Sequence, residues 1–384
     1  MNTFFSYSKY PVKQRRVFFS FIILLILLRY EVYSQTKEKS YPEIPYISST
    51  FISSDYTFNN RGLVFPIQVC LGQNNEIIVL DYAEDCLYFF DKDGKYIRTI
   101  GQRGQGPGDL LRPTGLQIDK NSDIYIYETG NNRISIFSYN GKFITSFRLK
   151  GSAYRCFTFS VTKNQEVIVN APTTGFYITV YSRDGNILRE VGSVEQLVKK
   201  PVNLIGDLID ASILNNTLGA GFPFYEENEG NYYIFLQYLP YIKIFNTKGE
   251  MIKKVDVQFP EILKIIDEIP GPGNPKLGLR LMSIYNTVAY SNNYFYVITI
   301  ESETDKDGLL KIYNNTYKVD AELKILKKIV PPVLYISNEE LQHFYRFDRD
   351  ITSSGRNHFT ISLDENTIYY AVPYQCSVIK YSKK

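Results

Sequence analysis

Residues 66–100 read PIQVCLGQNNEIIVLDYAEDCLYFFDKDGKYIRTI, and residues 113–147 read PTGLQIDKNSDIYIYETGNNRISIFSYNGKFITSF. The second stretch repeats the first at a constant offset of 47 residues without a gap, so that Pro66 aligns with Pro113. In both stretches, short runs of apolar and aromatic residues alternate with Asn, Asp and Gly, which favour tight turns between strands. We therefore expect two copies of one unit built of short antiparallel strands.

A repeat of this length that contains only short strands predicts a blade of a β-propeller. Each blade has four strands, which we name A to D from the centre outwards. In the first copy the predicted strands are 67–71, 76–80, 87–90 and 96–100. Further units with the same pattern cover 157–192, 231–255, 288–329 and 359–384. The predicted fold is all-β, a six-bladed β-propeller of four-stranded antiparallel blades.

The two ends of the chain predict how the ring closes. The last unit ends after its third strand, while a strand-like stretch at 50–58 precedes the first unit. If this N-terminal strand forms the outer strand of the last blade, two exposed sheet edges disappear. Residues 193–222 lack signals for paired strands, which argues against a seventh blade.

The N-terminus has the features of an export signal. A basic segment (residues 9–16) precedes the twelve-residue apolar run Val17–Leu28, and Val32 and Ser34 fit a cleavage site before Gln35. Twelve helical residues span about 18 Å, less than the roughly 30 Å of a bilayer core. This length favours a cleaved leader over a retained membrane anchor. The expected location is the periplasm or the extracellular side of the cell envelope.

The predicted domain organisation is a signal peptide at 1–34 and a single propeller domain at 35–384. The whole chain has 43 basic and 40 acidic residues, and the leader holds five basic residues and one acidic residue. The remaining 38 basic and 39 acidic residues give the mature chain a net charge of −1. Nucleic-acid binding is not expected, because it needs an excess of basic residues on the binding surface. Membrane contact is expected only through the cleavable leader.

Residues 101–147 closely resemble the NHL repeat. That pattern combines a Gly-rich turn, a Pro, an apolar strand, a strand ending in an acidic residue, the sequence Asn-x-Arg-Ile and a final Gly turn. The matching residues are Gly106, Pro107, Gly108, Pro113, Asp119, Glu128, Asn132, Arg133, Ile134 and Gly141. The match is fair over 66–100 and weak elsewhere. The chain as a whole resembles secreted bacterial six-bladed β-propeller proteins, a resemblance that implies a fold and a compartment but no particular activity.

Several catalytic motifs are excluded or disfavoured. The stretch GQRGQGPGD at 101–109 lacks the Gly-Lys-Ser/Thr ending of a phosphate loop, and no helix is predicted after it. His343 and His358 are the only histidines, so a three-histidine zinc site is impossible. The four cysteines show no CxxC spacing and are expected to be mostly buried thiols: Cys70, Cys86, Cys156 and Cys376.

Polar residues end several predicted B strands and suggest an alternative function. Asp81, Glu128, Asn170 and Glu301 would lie near one face of the ring, where they would supply oxygen ligands to a calcium-type metal. The alternative hypothesis is therefore a metal-assisted lyase or lactonase-type enzyme at the channel mouth. We favour a structural role for Glu128, paired with Arg133, and we predict no catalytic residues, no metal site and no cofactor.

The distribution of insertions indicates where the chain binds. The D-to-A connections, including 101–113 and 192–222, are long, whereas the A-to-B and C-to-D turns stay short. Long loops on one face of a rigid scaffold usually form a binding surface. Tyr and Arg residues in or beside these loops are the predicted ligand-binding residues: Tyr82, Arg103, Arg112, Tyr225, Arg280 and Tyr374. The favoured hypothesis is an exported binding module that engages a protein, small-molecule or glycan ligand on this face, although a purely structural assembly role is also open.

Overall fold

The computed structural model describes most of the chain from residue 43 onwards. The described ranges are 43–52, 56–57, 62–151, 159–204, 207–239, 241–256, 259–260, 287–304, 310–330, 334–336, 359–361, 366–372 and 377–383. The predicted signal peptide and the two histidines lie outside these ranges.

The chain forms six antiparallel blades, the fold that the repeat predicted. A strand at the N-terminus comes first: β1 (Glu43–Ile52). The first blade contains β2 (Pro66–Leu71), β3 (Ile77–Asp81), β4 (Cys86–Phe90) and β5 (Tyr96–Ile100). The second blade contains β6 (Pro113–Ile118), β7 (Ile124–Glu128), β8 (Arg133–Phe137) and β9 (Phe143–Arg148). In both blades the hydrogen-bonded order follows the order of the chain, so strands A to D run outwards one after another.

The third and fourth blades flank the longest described connection. The third blade contains β10 (Phe159–Val161), β11 (Val167–Val169), β12 (Phe176–Tyr181) and β13 (Ile187–Ser193). The connection then forms the hairpin β14 (Val202–Leu204) and β15 (Asp207–Ile209) and the helix α1 (Ala211–Leu218). The fourth blade contains β16 (Gly221–Glu226), β17 (Asn231–Leu236), β18 (Tyr241–Phe245) and β19 (Met251–Asp256). The sequence did not predict this hairpin, but two three-residue strands do not make a blade.

The last two blades are joined into one continuous sheet. The fifth blade contains β20 (Thr287–Ser291), β21 (Tyr294–Thr304), β22 (Leu310–Val319) and β23 (Ile325–Val330), and β22 also pairs with the short β24 (Leu334–Ile336). The sixth blade contains β25 (Phe359–Ile361), β26 (Thr367–Val372) and β27 (Ser377–Lys383). Strand β1 lies between β23 and β27 and connects the two blades.

The predicted ring closure is confirmed, with a different strand boundary. Residues 46–52 of β1 pair antiparallel with β27 and supply the missing outer strand of the sixth blade. Residues 43–45 pair in parallel with β23, the outer strand of the fifth blade. The strand therefore covers 43–52 and not the predicted 50–58. Pro45 interrupts the strand pattern in the sequence, but it lies where β1 changes partners, a position that tolerates a missing N–H donor.

The B strands explain why the blades pack into a ring. All five residues of β3 and all five of β7 are buried. Because successive side chains point to opposite faces of a sheet, a strand buried on both faces must be covered by a neighbour on each side. A single blade would expose both apolar faces, so the blades are stable only together.

Charged side chains on the face of the short A-to-B and C-to-D turns fasten neighbouring blades together. Arg98 on β5 contacts Glu76 of its own blade at 3.4 Å and donates to the carbonyl oxygen of Tyr139 in the next blade at 3.0 Å. The Tyr139 hydroxyl donates to Glu76 at 2.6 Å. Between the second and third blades, Arg183 pairs with Asp123 at 2.7 Å. These contacts join adjacent blades.

Two further contacts extend this pattern around the ring and towards its centre. Arg189 of the third blade pairs with Glu166 at 2.8 Å and donates to the Tyr232 hydroxyl of the fourth blade at 2.6 Å. Near the channel, the amide of Gln68 makes two hydrogen bonds, of 2.8 and 2.7 Å, to the backbone of Leu116 in the next blade. The Gln68 amide thus pairs with the backbone of the neighbouring A strand, as the backbone of an adjacent strand would.

Two simpler features follow from the described residues. None of their helices combines the length and the apolar character needed to cross a membrane. Cys70 and Cys86 are free thiols; Cys86 is buried, as predicted, whereas Cys70 is partly buried. Desolvation raises the pKa of each thiol to about 12. Cys156 and Cys376 lie outside the described residues.

We predict that deleting residues 43–52 lowers the thermal stability of the whole propeller. The deletion removes the outer strand of the sixth blade and breaks the link to the fifth, which exposes two sheet edges. Thermal unfolding followed by circular dichroism measures the effect, and size-exclusion chromatography reports association through the exposed edges. A chain that starts at residue 43 is the control. An unchanged midpoint with a monomeric profile would show that β1 is dispensable.

We predict that Gly94→Val and Gly141→Val each destabilise the fold by about 1–3 kcal/mol. Both glycines have positive φ angles, +86° and +92°, and an added Cβ would lie 3.0 Å from the Phe51 carbonyl oxygen or from Ile100. Gly175 is the matched control, because its φ is +90° but no atom lies within 4 Å of an added Cβ. Urea denaturation should therefore rank Gly175→Val as the mildest of the three. Equal losses at all three positions would contradict the role assigned to the close contacts.

Candidate functional site

The connections on one face of the ring are long, as the sequence predicted for the described blades. This loop-rich face carries the D-to-A connections, among them 101–112 and 194–220, and the B-to-C connections. On the opposite, short-turn face, the C-to-D turns of the first five blades are 91–95, 138–142, 182–186, 246–250 and 320–324. The scaffold is therefore uniform on one face and variable on the other.

Asp85 brings two of the predicted ligand-binding residues together. Its carboxylate accepts a hydrogen bond from the Arg103 guanidinium at 2.6 Å and another from the backbone N–H of Arg112 at 2.6 Å. Asp85 is buried, whereas the side chain of Arg103 is 72% exposed. Arg103 also donates to the Ala83 carbonyl oxygen at 3.4 Å. One buried carboxylate thus holds an exposed guanidinium in a fixed position at the surface.

Arg112 lies at the end of the same connection. It has a positive φ of 49°, its side chain is exposed, and its carbonyl oxygen accepts hydrogen bonds from the backbone and hydroxyl of Thr129. The backbone at Arg112 is therefore tied both to the first blade, through Asp85, and to the second blade, through Thr129. The surface formed by Arg103 and Arg112 above Asp85 is called the arginine surface below.

The mostly buried Arg133 side chain holds the Gly-rich connection, residues 101–112, by hydrogen bonds to its backbone. The Arg133 guanidinium donates to the carbonyl oxygens of Gln105, Gly106 and Asp109 at 2.8–3.1 Å. Asp109 in turn accepts from the backbone N–H of Gly106 at 3.0 Å. A phosphate loop needs its backbone N–H groups to point at a ligand, whereas here the connection folds back on itself.

The structural reading of Glu128 is confirmed. Its buried carboxylate accepts from Arg133 at 2.7 Å, from the Ser135 hydroxyl at 2.5 Å, from the Asn131 amide at 2.6 Å and from the Leu111 backbone at 3.0 Å. Four donors satisfy a carboxylate, which has about four lone-pair positions. The acidic and Asn-x-Arg parts of the repeat therefore form one unit that fastens the Gly-rich connection to its blade.

Two of the other residues that end B strands are also used within the scaffold. Asp81 accepts from the backbone N–H groups of Val64, Phe65, Ala83 and Glu84. Burial raises the pKa of Asp81 to about 6, and these four backbone donors oppose the rise. The Asn170 amide donates to two carbonyl oxygens, those of Tyr177 and Gly219, and accepts from the Gly221 N–H.

The proposed metal ligands therefore do not share a site in the described part of the chain. Asp81, Glu128 and Asn170 each bind the connections beside their own strand, and the side chain of Glu301 lies outside the described residues. Within the described ranges, no group of three or more His, Cys, Asp or Glu side chains is arranged to hold a metal ion.

The remaining predicted ligand-binding residues are placed differently. Tyr82 is largely buried, with its ring 6.2 Å from that of Phe65 in a T-shaped arrangement. Tyr225 pairs with Tyr232 beside the A-to-B turn of the fourth blade, so it lies towards the short-turn face and not beside a long connection. Arg280 and Tyr374 lie outside the described residues.

Sequence reasoning missed two residues that matter for this face. Asp85 in the first blade is equivalent to Asn132 in the second, which lies 47 residues further along the chain, and both have a positive φ near 50°. The Asn132 amide holds the connection after the second blade, with hydrogen bonds to the carbonyl oxygens of Leu149 and Gly151, so the repeat itself marked Asp85. Lys243 is a buried lysine on β18, at a position where the first two blades have Tyr88 and Ser135.

Comparisons with known proteins agree with this architecture. A family model described as a 6-bladed beta-propeller matches residues 59–203. Protein brain tumor of Drosophila melanogaster is 28% identical over 135 residues, which is 34% of this chain. The chain spans only 13% of the length of that relative, so the likeness concerns one segment of it.

Solved structures are similar over nearly the whole chain. A candidate exported protein from Bacteroides fragilis has a TM-score of 0.52 and 13% identity, covering 90% of this chain and 100% of its own. Virginiamycin B lyase from Staphylococcus aureus has a TM-score of 0.51 and 9% identity, covering 88% of this chain and 99% of its own. At such low identities these likenesses show the fold alone, a six-bladed β-propeller.

We predict that Arg133→Ala destabilises the protein by about 3–5 kcal/mol, because it leaves the buried Glu128 carboxylate without its opposite charge. The Gly-rich connection also loses three hydrogen bonds to its carbonyl oxygens. Equilibrium denaturation gives the magnitude, and limited proteolysis between residues 101 and 112 reports the freed connection. Lys92→Ala is the control, since Lys92 and Asp93 form an exposed pair. Similar losses for the two variants would refute the structural role of Arg133.

Proposed function

We propose that this six-bladed β-propeller is an exported binding module, and that it engages a partner or ligand through its loop-rich face. The observation that carries the proposal is the arginine surface, where buried Asp85 fixes exposed Arg103 and anchors the backbone of Arg112. A charged side chain that is already held in place loses less conformational entropy when it binds. Arginine is also among the residues that contribute most to binding at protein interfaces.

The charge of the arginine surface indicates the chemistry of its partner. Two guanidinium groups at one surface favour carboxylate, sulfate or phosphate groups, to which arginine donates paired hydrogen bonds. The partner is therefore expected to present an anionic patch, either on a protein or on a charged glycan. Export of the chain is proposed on the basis of the leader, whose basic segment precedes the apolar run Val17–Leu28.

We predict that Arg103→Ala combined with Arg112→Ala weakens capture of a native partner from cell-envelope extract. Binding of this kind also weakens as the salt concentration rises, because the charges at the arginine surface are exposed. The measurement is a pull-down with immobilised protein at two ionic strengths, followed by titration of the recovered partner. Arg103→Ala also leaves the buried Asp85 carboxylate without its opposite charge, so the double variant should have a lower Tm than the wild type. The pull-down is therefore run at a temperature at which circular dichroism shows that both proteins are folded.

A matched control removes two positive charges from the short-turn face. Lys92 and Lys142 lie in C-to-D turns and are both exposed, so the variant with Ala at both positions should retain the partner. Equal loss of the partner in both double variants would show that capture depends only on net charge. If His343→Ala with His358→Ala abolishes an activity that the arginine variant retains, an enzyme is the better description.

A further inference from the structure

Lys243 lies between the third and fourth blades and is an unusual residue for that position. Its side chain is 2% exposed on β18, the third strand of the fourth blade. Its ammonium donates to the Tyr177 hydroxyl at 3.0 Å and forms a short hydrogen bond to the Glu195 carboxylate. An ammonium group removed from water is unfavourable unless an opposite charge and hydrogen-bond partners replace the lost solvation.

Among the described residues, the carboxylate that pairs with Lys243 belongs to a side chain that reaches in from the surface. Glu195 is 42% exposed and belongs to the D-to-A connection after the third blade, on the loop-rich face. Asn215 of α1 holds this connection with hydrogen bonds to the backbone N–H and carbonyl oxygen of Val198, both 2.8 Å. The carboxylate is therefore presented by an anchored segment, but it remains open to solvent on one side.

The surroundings of Lys243 contain more hydrogen-bonding capacity than Glu195 uses. The hydroxyl of Tyr241 is buried and has no hydrogen-bond partner in the described structure. The Lys243 ammonium lies 5.7 Å from the centre of the Tyr241 ring, so Tyr241 belongs to the same cluster. Burial raises the pKa of the Tyr241 phenol, and the nearby Glu195 and Tyr177 raise it further. The Tyr177 hydroxyl accepts from Lys243 and from the Glu195 backbone N–H at 3.4 Å. A carboxylate has about four lone-pair positions, so one placed in this cluster would accept from the Tyr241 hydroxyl as well as from the Lys243 ammonium.

We propose that Lys243, Tyr177 and Tyr241 form a carboxylate-binding site between the third and fourth blades, and that the Glu195 side chain occupies this site in the free protein. The ligand is the carboxylate of a small molecule or of a peptide, which displaces Glu195 from the ammonium. The exchange preserves charge, since one carboxylate replaces another. Because the site uses neither Arg103 nor Arg112, it goes beyond the proposed arginine surface and is tested separately from it.

Chemical rescue tests the site directly. Glu195→Ala leaves the buried ammonium without a counter-charge, so the variant should have a lower Tm than the wild type. Sodium acetate should raise the Tm of this variant by about 2–4 °C relative to sodium chloride at equal ionic strength, the shift for a ligand near tenfold above its Kd. The wild type should respond less than the variant, because acetate must first displace the Glu195 carboxylate.

Three further variants distinguish a specific site from a general salt effect. Glu190→Ala is the matched control, since Glu190 of the third blade pairs at 2.8 Å with the half-exposed Lys150, which lies in the connection before that blade. Acetate should not stabilise this variant. Adding Lys243→Met to Glu195→Ala should abolish rescue, because the ammonium is gone. Adding Tyr241→Phe should weaken rescue, because the unpaired hydroxyl is lost.

A second measurement, the refolding yield, is used if Glu195→Ala folds poorly. If Glu195→Ala has no cooperative transition in chloride, its refolding yield in acetate and in chloride is compared instead, with a higher yield expected in acetate. Equal Tm values or equal yields in the two salts, or equal rescue of Glu190→Ala, would overturn the proposal. N-acetylglycine and an end-blocked Gly-Asp-Gly peptide then distinguish a terminal carboxylate from a side-chain carboxylate, and rescue by acetate alone restricts the ligand to small free acids.

Discussion

Burial of both faces of each blade is the constraint on which the rest of this structure depends. The second strand of a blade is apolar on two sides, and only a neighbouring blade can cover each side. No blade is therefore complete alone, and the ring must close to cover the first and the last. Strand β1 closes it from the other end of the chain and pairs with two blades at once.

Buried polar side chains hold the connections between the strands in position. Asp81, Asp85 and Glu128 are all acidic and buried, and all of them bind backbone groups of a connection on the loop-rich face. Asp81 and Glu128, which the sequence suggested as possible metal ligands, thus determine the geometry of the connections. This also explains how an exposed arginine such as Arg103 is held in a fixed position at the end of an irregular segment.

The parts of the fold that repeat could be predicted from the sequence, because the spacing of 47 residues fixes equivalent positions directly. The predicted strand 96–100 agrees with β5, and the pairing of the chain ends was predicted correctly. The parts that do not repeat were harder to predict. The predicted position of β1 lay too far along the chain, because Pro45 interrupts the strand pattern in the first half of the strand. The hairpin after the third blade has strands of only three residues, which is too short for a periodic pattern.

The candidate sites were less predictable for a related physical reason. Side chains that act together on this face come from different blades, and their partners are set by packing. Arg103 and Arg112 were predicted as ligand-binding residues. The repeat marks Asp85 only as the equivalent of Asn132, and its hydrogen bonds to both arginines are visible only in the structure. Lys243 is separated by 48 residues from Glu195 and by 66 from Tyr177, so no local motif connects them.

The position of β1 has a consequence for the order of events during folding. The strand precedes every blade in the chain, yet its partners β23 and β27 belong to the fifth and sixth blades. The first four blades are complete in sequence by residue 256, so they can assemble while β1 is still unpaired. Closure then joins residues 46–52 to residues 378–383, a contact of very high sequence separation that forms late. The ring is therefore closed last, through the first strand that the structure describes.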